Sequence, residues 1–307
     1  MILLTVLVTI GAFLLLAGMY FCRVVTKPKK YSRSYSYNFV IERDEFEKSE
    51  FESLHKEPVI VKSPFGYDLS GYFFPNGESK RIVVFCHGIT WNLFGSIKYM
   101  MLFRELGFAG IAFDHRNHGE SGGSTTTFGK YEKHDLGVIV KWIRDRFGND
   151  AIVGLHGESL GAAVALQYLV MDQDISFCVA DCPFSDLPDL LKLRMKMDYR
   201  LPPFPLIYLA GFFSRLSTGL RFAEASPRNA LKGVSTPILF VHGKEDRYIP
   251  PEMSLEMAEQ QRTTRKVYLA PEAGHAESFL KNRDRYREEV IGFMKAFSIL
   301  GNKETTR

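Results

Sequence analysis

The feature that most narrows the folds open to this chain is the run Gly157-Glu-Ser-Leu-Gly161. It sits between a β-rich apolar stretch, Ala151 to Leu155, and a helix-forming one, Gly161 to Met171. A serine on a sharp strand-to-helix turn takes a strained backbone, and a side chain at either glycine would collide with the neighbouring strand or helix. The turn lifts the hydroxyl to a helix N-terminus, where the dipole and free N–H groups favour developing negative charge. The five-residue pattern alone is common. Its place between a strand and a helix makes Ser159 a candidate nucleophile.

Such a turn needs a sheet around it, and the periodicity supplies one. From Pro58 onward short β-rich runs alternate with longer amphipathic stretches, the pattern of βαβ units and a mainly parallel sheet. Strands are expected at Val59 to Lys62 and Leu69 to Phe74 as an antiparallel edge. Parallel strands are expected at Arg81 to Cys86, Ala109 to Phe113, Ala151 to Leu155, Ser176 to Asp181, Ile238 to His242 and Val267 to Ala270. Helices fill the gaps at Ser96 to Leu106, Tyr131 to Phe147, Gly161 to Met171, Pro251 to Gln261 and Ala276 to Phe297. The stretch between Asp181 and Ile238 is too long for a simple crossover. Its prolines, in Leu201-Pro-Pro-Phe-Pro, break it into at least two helices. Over residues 183–227 this insert lies on the sheet edge where ligands bind, and a lid or cap is expected there, against the plainer reading of a structural hairpin.

Residues Ile2 to Cys22 carry no charge and as a helix would rise ~30 Å, the thickness of a bilayer's hydrocarbon core. A cleaved signal would want a basic start and small residues at its end, whereas Met19, Tyr20 and Phe21 stand there. A buried core helix fits poorly too, because no polar stripe marks a solvent face. The expectation is a transmembrane anchor over 1–22, a linker with a short helix over 23–57, and a catalytic domain over 58–300. Arg23, Lys27, Lys29, Lys30 and Arg33 follow the apolar run, which by the positive-inside bias places the domain in the cytoplasm.

A serine hydroxyl needs a base, itself oriented by an acid. The strand Ile238 to His242 runs into Gly243-Lys-Glu-Asp246, and the strand ending at Ala270 runs into Gly274-His275. Both candidates lie past C-terminal strand ends, on the same edge as Ser159. Asp181 is the second candidate acid and Glu245 a third. An oxyanion hole would use the backbone N–H groups of Leu160 and of Ile89, in the loop His87-Gly-Ile-Thr-Trp-Asn92. His87, at a strand end, is expected to brace that loop rather than to act as a base.

These segments, with Cys86-His-Gly-Ile-Thr and Asp114-His-Arg-Asn-His-Gly-Glu-Ser121, resemble the α/β-hydrolase superfamily over roughly residues 58 to 297. They look most like its esterase, acylglycerol-lipase and serine-peptidase-like branches. The resemblance implies an α/β-hydrolase fold with an eight-stranded, mostly parallel sheet and helices on both faces. The helical cap would fall between strands 6 and 7. It also implies a triad of Ser159, Asp246 and His275 and hydrolysis without metal or cofactor. Ile89 and Thr90 after His-Gly depart from the HGGG type of lipase loop.

The expected reaction is acyl transfer from a small-molecule ester or thioester. A peptidase or amidase on the same triad, and a membrane-tethered binding protein without turnover, are the alternatives. The 39 basic residues exceed the 35 acidic ones only slightly and form no block, so nucleic acid is not implied. Cys22, Cys86, Cys178 and Cys182 lack the close pairing with histidines of a structural zinc site.

Overall fold

The apolar runs become the strands of one eight-stranded sheet in the computed structural model, which describes residues 1–261 and 264–300. In chain order the strands are β1 (Glu57–Lys62), β2 (Asp68–Phe74), β3 (Arg81–Cys86), β4 (Ala109–Phe113), β5 (Ile152–Glu158), β6 (Phe177–Asp181), β7 (Ile238–Gly243) and β8 (Arg265–Ala270). Their spatial order is β1-β2-β4-β3-β5-β6-β7-β8. β2 runs antiparallel to both β1 and β4, and every other pair is parallel.

The helices are α1 (Ile2–Thr26), α2 (Arg33–Glu42), α3 (Lys48–Ser53), α4 (Ile97–Glu105), α5 (Glu132–Phe147) and α6 (Leu160–Tyr168). After them come α7 (Leu187–Tyr199), α8 (Leu206–Thr218), α9 (Pro227–Ala230), α10 (Glu252–Gln260), α11 (Ser278–Lys281) and α12 (Arg283–Ala296). Helices cover both sheet faces, which is why the central strands read as unbroken apolar runs. In β3, Ile82, Val84 and Cys86 point into the core shared with α5, α6 and α10. Val83 and Phe85 point into the core shared with α4 and α12. The alternation repeats in β7, with Ile238 and Phe240 on one side and Leu239 and Val241 on the other.

Several boundaries differ from those expected. β5 runs three residues past Leu155, because His156 and Gly157 still pair with β3 and Glu158 with β6. The expected helix Ala276 to Phe297 divides at Asn282, whose backbone leaves the helical region (φ −140°, ψ 47°) and whose side-chain amide donates to Pro271 O. The largest difference lies between the apolar segment and the domain. The apolar helix does not end at Cys22 but continues to Thr26, and a linker with one short helix is replaced by α2 and α3 folded onto the domain. Arg33 reaches a fully buried Asp114 at 2.8 Å, and Asn92 Nδ2 donates to Ser36 Oγ at 2.7 Å.

α7 and α8 form the cap between β6 and β7. Asp186 caps the start of α7 by accepting from Asp189 N–H, and Gly219 ends α8 in the left-handed region. α1 is long and apolar enough to cross a membrane. Its last two turns are buried through Gly18, Phe21, Cys22, Val25 and Thr26, against α8 among others.

Candidate active site

Ser159 occupies the turn between β5 and α6 with φ +54°, a conformation that a non-glycine residue holds only where its surroundings enforce it. Here they do. A Cβ on Gly161 would lie 1.9 Å from Cys86 O on β3, and one on Gly157 would lie 2.4 Å from Ala162 N. Ser159 N–H donates to Asp181 O at 2.8 Å, tying the turn to the neighbouring strand. Beneath it, Glu158 pairs with Lys98 at 3.1 Å, and Lys98 also meets Glu45 at 3.3 Å, all three side chains being buried. Burial alone would push the Lys98 ammonium down, but the Glu158 and Glu45 charges outweigh it and hold its pKa above the usual value.

His275 follows β8, and its loop lies against the turn after β7. Lys244 N–H donates to Ala270 O and Glu245 N–H to Ala273 O. A Cβ on Gly243 would lie 2.3 Å from Ala273 O, so only glycine lets the two loops approach this closely. This approach brings the imidazole between the other two residues. His275 Nε2 is 3.0 Å from Ser159 Oγ, and His275 Nδ1 is 2.7 Å from Asp246 Oδ2. Asp246 Oδ1 accepts from the backbone N–H groups of Tyr248 (2.8 Å) and Ile249 (2.9 Å). Burial acts to raise the Asp246 carboxyl. Hydrogen bonds from His242 and His275, the His275 charge and the Ile249 N–H outweigh it and hold the pKa well below the usual carboxylate range. Asp246 is therefore an anion built to orient a donor.

The other two candidate acids stand elsewhere. Asp181 is fully buried beside Tyr99, whose hydroxyl donates to it at 3.3 Å. Burial, reinforced by the Glu158 charge, pushes its pKa up to about 7. Glu245 is exposed. His87 is buried in the loop after β3: its Nδ1 donates to Gly88 O (2.7 Å) and its Nε2 accepts from His115 N–H (2.9 Å), so both ring nitrogens are occupied in bracing. Burial, with His115 and His118 adding to it, depresses its pKa.

Ile89 and Leu160 border the same cavity as Ser159. Leu160 is the first residue of α6, so its N–H has no partner within the helix. The loop bearing Ile89 is held by contacts that sequence reasoning missed: Thr90 O accepts from Tyr31 N–H at 2.9 Å, and Asn92 Nδ2 donates to Tyr31 O at 3.1 Å. A second missed residue is His242, whose Nε2 lies 3.1 Å from Asp246 Oδ2 and whose Nδ1 meets Ser254 Oγ at 2.7 Å. Its spacing from Asp246, across the end of a strand, was the available signal.

Cys182 Sγ, Asp246 and His275 place donor atoms within 4.8 Å of one another. They fit a metal poorly, since Asp246 and His275 are engaged with each other. Burial, with the Asp181, Glu158 and Asp246 charges, also keeps the Cys182 thiol protonated. From Ser159 a cavity of about 260 Å³ opens under the cap, lined mainly by apolar side chains such as Phe128, Phe184, Leu190 and Met195. The arrangement can activate a hydroxyl toward a carbonyl carbon whose substituent is apolar.

Known proteins share the fold that carries this site. A family model for the alpha/beta hydrolase fold matches residues 81–216. The chain is 39% identical over 246 residues to the uncharacterized protein YqkD of Bacillus subtilis (strain 168), covering 80% of this chain and 81% of that one. It is 24% identical over 267 residues to lysophosphatidylserine lipase ABHD12 of Xenopus tropicalis, covering 81% of this chain and 65% of that protein. Among solved structures, esterase PF2001 of Pyrococcus furiosus superposes with a TM-score of 0.69 at 26% identity, over 90% of this chain and 98% of that one.

Proposed function

The chain belongs to the α/β-hydrolase family and is a hydrolase, and from that premise we propose that it cleaves a carboxylic ester or thioester through an acyl-enzyme on Ser159. His275 Nε2 takes the Ser159 proton as Oγ bonds to the substrate carbonyl carbon. Asp246 keeps the other ring proton on Nδ1 and stabilises the imidazolium. The Ile89 and Leu160 N–H groups receive the oxyanion. The bond to the leaving alcohol or thiol then breaks, and that group departs with the proton from His275. Water, deprotonated by the same imidazole, releases the acid and restores the serine.

The observation that carries this reading is the unbroken hydrogen-bonded chain from Ser159 through His275 to Asp246, at 3.0 and 2.7 Å. The apolar cavity that starts at Ser159 favours an amphiphilic acyl substrate. The esterase and the lysophosphatidylserine lipase among the similar proteins favour an ester over an amide. We also assign α1 the role of a single membrane-spanning anchor, with the catalytic domain on the cytoplasmic side.

A fluorophosphonate probe tests the mechanism. The wild type should be labelled and Ser159→Ala should not; labelling that persists in Ser159→Ala would remove Ser159 as the nucleophile. Esters of graded chain length set beside aminoacyl amides test the substrate class, and faster amide cleavage would replace the esterase with a peptidase.

A further inference from the structure

The cap helix α8 leaves an apolar stripe largely uncovered by the described residues. Tyr208, Phe212 and Leu216, four residues apart, are 61%, 56% and 67% exposed, and Phe204 just before the helix is 72% exposed. Leu201 and Met197 extend the patch to the end of α7. An aromatic and aliphatic surface of this extent on a water-facing helix is a docking surface.

The neighbour of this stripe identifies what covers it. α8 packs along α1 and runs in the same sense. Gly18 lies so close that a Cβ there would be 2.6 Å from Leu209 Cβ, and Cys22 Sγ meets Ser217 Oγ at 3.8 Å. A hydrocarbon core of ~30 Å takes about 20 helical residues, and from Ile2 that count reaches the turn just before Arg23, the first charge. Leu14 and Ala17 of α1 also pack against the core that includes Leu206, Ile207 and Ala210 of α8, so the contact begins about two turns inside the apolar span. Because the two helices run in the same sense, the start of α8, with Phe204 and Tyr208, lies on the membrane side of that contact. Exposed Lys196 and Arg200 border this tip, placed to extend toward headgroup phosphates while their stems stay in the apolar layer.

The acyl cavity meets the same layer. Besides cap residues, its walls include Phe21, Val24, Val25 and Pro28 from the end of α1 and the residues after it, and Phe21 packs edge-on against Tyr199 of α7 with centroids 4.9 Å apart. The anchor is thus one side of the pocket as well as a tether.

We propose that the tip of the cap, Leu201 to Tyr208, is inserted into the membrane that α1 spans, and that the cavity between α1, α7 and α8 receives the acyl chain of a single-chain amphiphile directly from the bilayer. This rests on the anchoring of α1 and on the esterase reading above.

The insertion is tested without catalysis. The full chain carrying Phe204→Trp is reconstituted in phosphatidylcholine and phosphatidylglycerol vesicles, and the emission added over the parent, which has Trp91 and Trp142, is recorded. The added emission should be blue-shifted and quenched by lipids brominated on their acyl chains; emission typical of water and indifferent to those lipids overturns the insertion. The delivery is tested with Phe204→Asp/Tyr208→Asp, both exposed positions outside the triad. Hydrolysis of a long-chain ester held in the vesicles should fall at least tenfold, with hydrolysis of a soluble butyrate ester unchanged. Equal rates on the vesicle substrate, or equal losses on both substrates, overturn it. A wild type that cleaves neither ester refutes the esterase reading, and the tryptophan result still decides the insertion.

Discussion

Replacing Asp246 by Asn separates the three candidate acids, because the hydrogen bonds around Asp246 dictate how the amide must sit. Its Oδ1 accepts two backbone N–H groups, from Tyr248 and Ile249, at 2.8 and 2.9 Å. A carboxamide turned to place NH2 there would oppose two donors, so its oxygen must keep that position and its NH2 must face His275 Nδ1. The imidazole then accepts at Nδ1 and carries its proton on Nε2, toward Ser159, where it cannot take the hydroxyl proton. Loss of the correct tautomer costs a serine triad about 10⁴-fold in kcat, or ~5.5 kcal/mol of barrier. The expected result for Asp246→Asn is a fall of that size in hydrolysis of a soluble p-nitrophenyl ester, with KM within a few-fold. Asp181→Asn, which removes a carboxyl that does not touch His275, should stay within about tenfold of the wild type. If the two variants exchanged these outcomes, Asp181 would be the orienting acid and the geometry would have been misinterpreted.

Two stability measurements test the architecture. Asp181 is bound to its proton more tightly in the folded chain, at about 7, than in the unfolded one, at about 3.9. The stability linked to it is complete below about pH 4 and is lost as pH rises through about 7, on the order of 4 kcal/mol in all. The non-titrating Asp181→Asn should gain on the wild type by that order between about pH 4 and pH 9 in denaturant unfolding followed by circular dichroism, and a pH-independent gap would refute the linkage. Gly161→Ala places a Cβ 1.9 Å from a backbone oxygen and should cost more than about 3 kcal/mol, against about 1 kcal/mol for Gly66→Ala, where the site is open and only the positive φ opposes it. Comparable melting temperatures for the two variants would contradict the packing described at the turn.

What the sequence made legible was whatever local geometry alone demands. The strand-turn-helix around Ser159 can be anticipated because its glycines are required by backbone collisions within a few residues and with the adjacent strand. Asp246 and His275 can be anticipated because a parallel sheet sends all its C-terminal strand ends to one edge. His242, by contrast, reads as one more residue of an apolar strand, and only its four-residue spacing from Asp246 hints at the chain reversal that brings its Nε2 to Asp246 Oδ2. β5 was expected to stop at Leu155 because His156 and Gly157 interrupt the apolar run, although their backbones go on pairing.

The basic run after the apolar segment shows the same limit of one-dimensional reading, with a consequence for topology. Five cations, Arg23, Lys27, Lys29, Lys30 and Arg33, look alike as a membrane-flanking cluster. In the folded chain Arg33 is taken up by Asp114, Glu120 and Ser70, with its side chain 10% exposed, and Lys30 Nζ donates to Asn117 Oδ1 at 3.0 Å. These two bind the chain to the loop after β4 and, through Asp114, which accepts from Leu93 N–H, to the segment following Ile89. Under the proposed anchoring of α1, the charge left to face a membrane surface is carried by Arg23, Lys27, Lys29 and the still exposed Lys30, whose partner Asn117 is neutral. Lys30 and Arg33 hold the entry to the domain against the candidate oxyanion loop, so the residues that follow α1 also support the site where the proposed chemistry takes place.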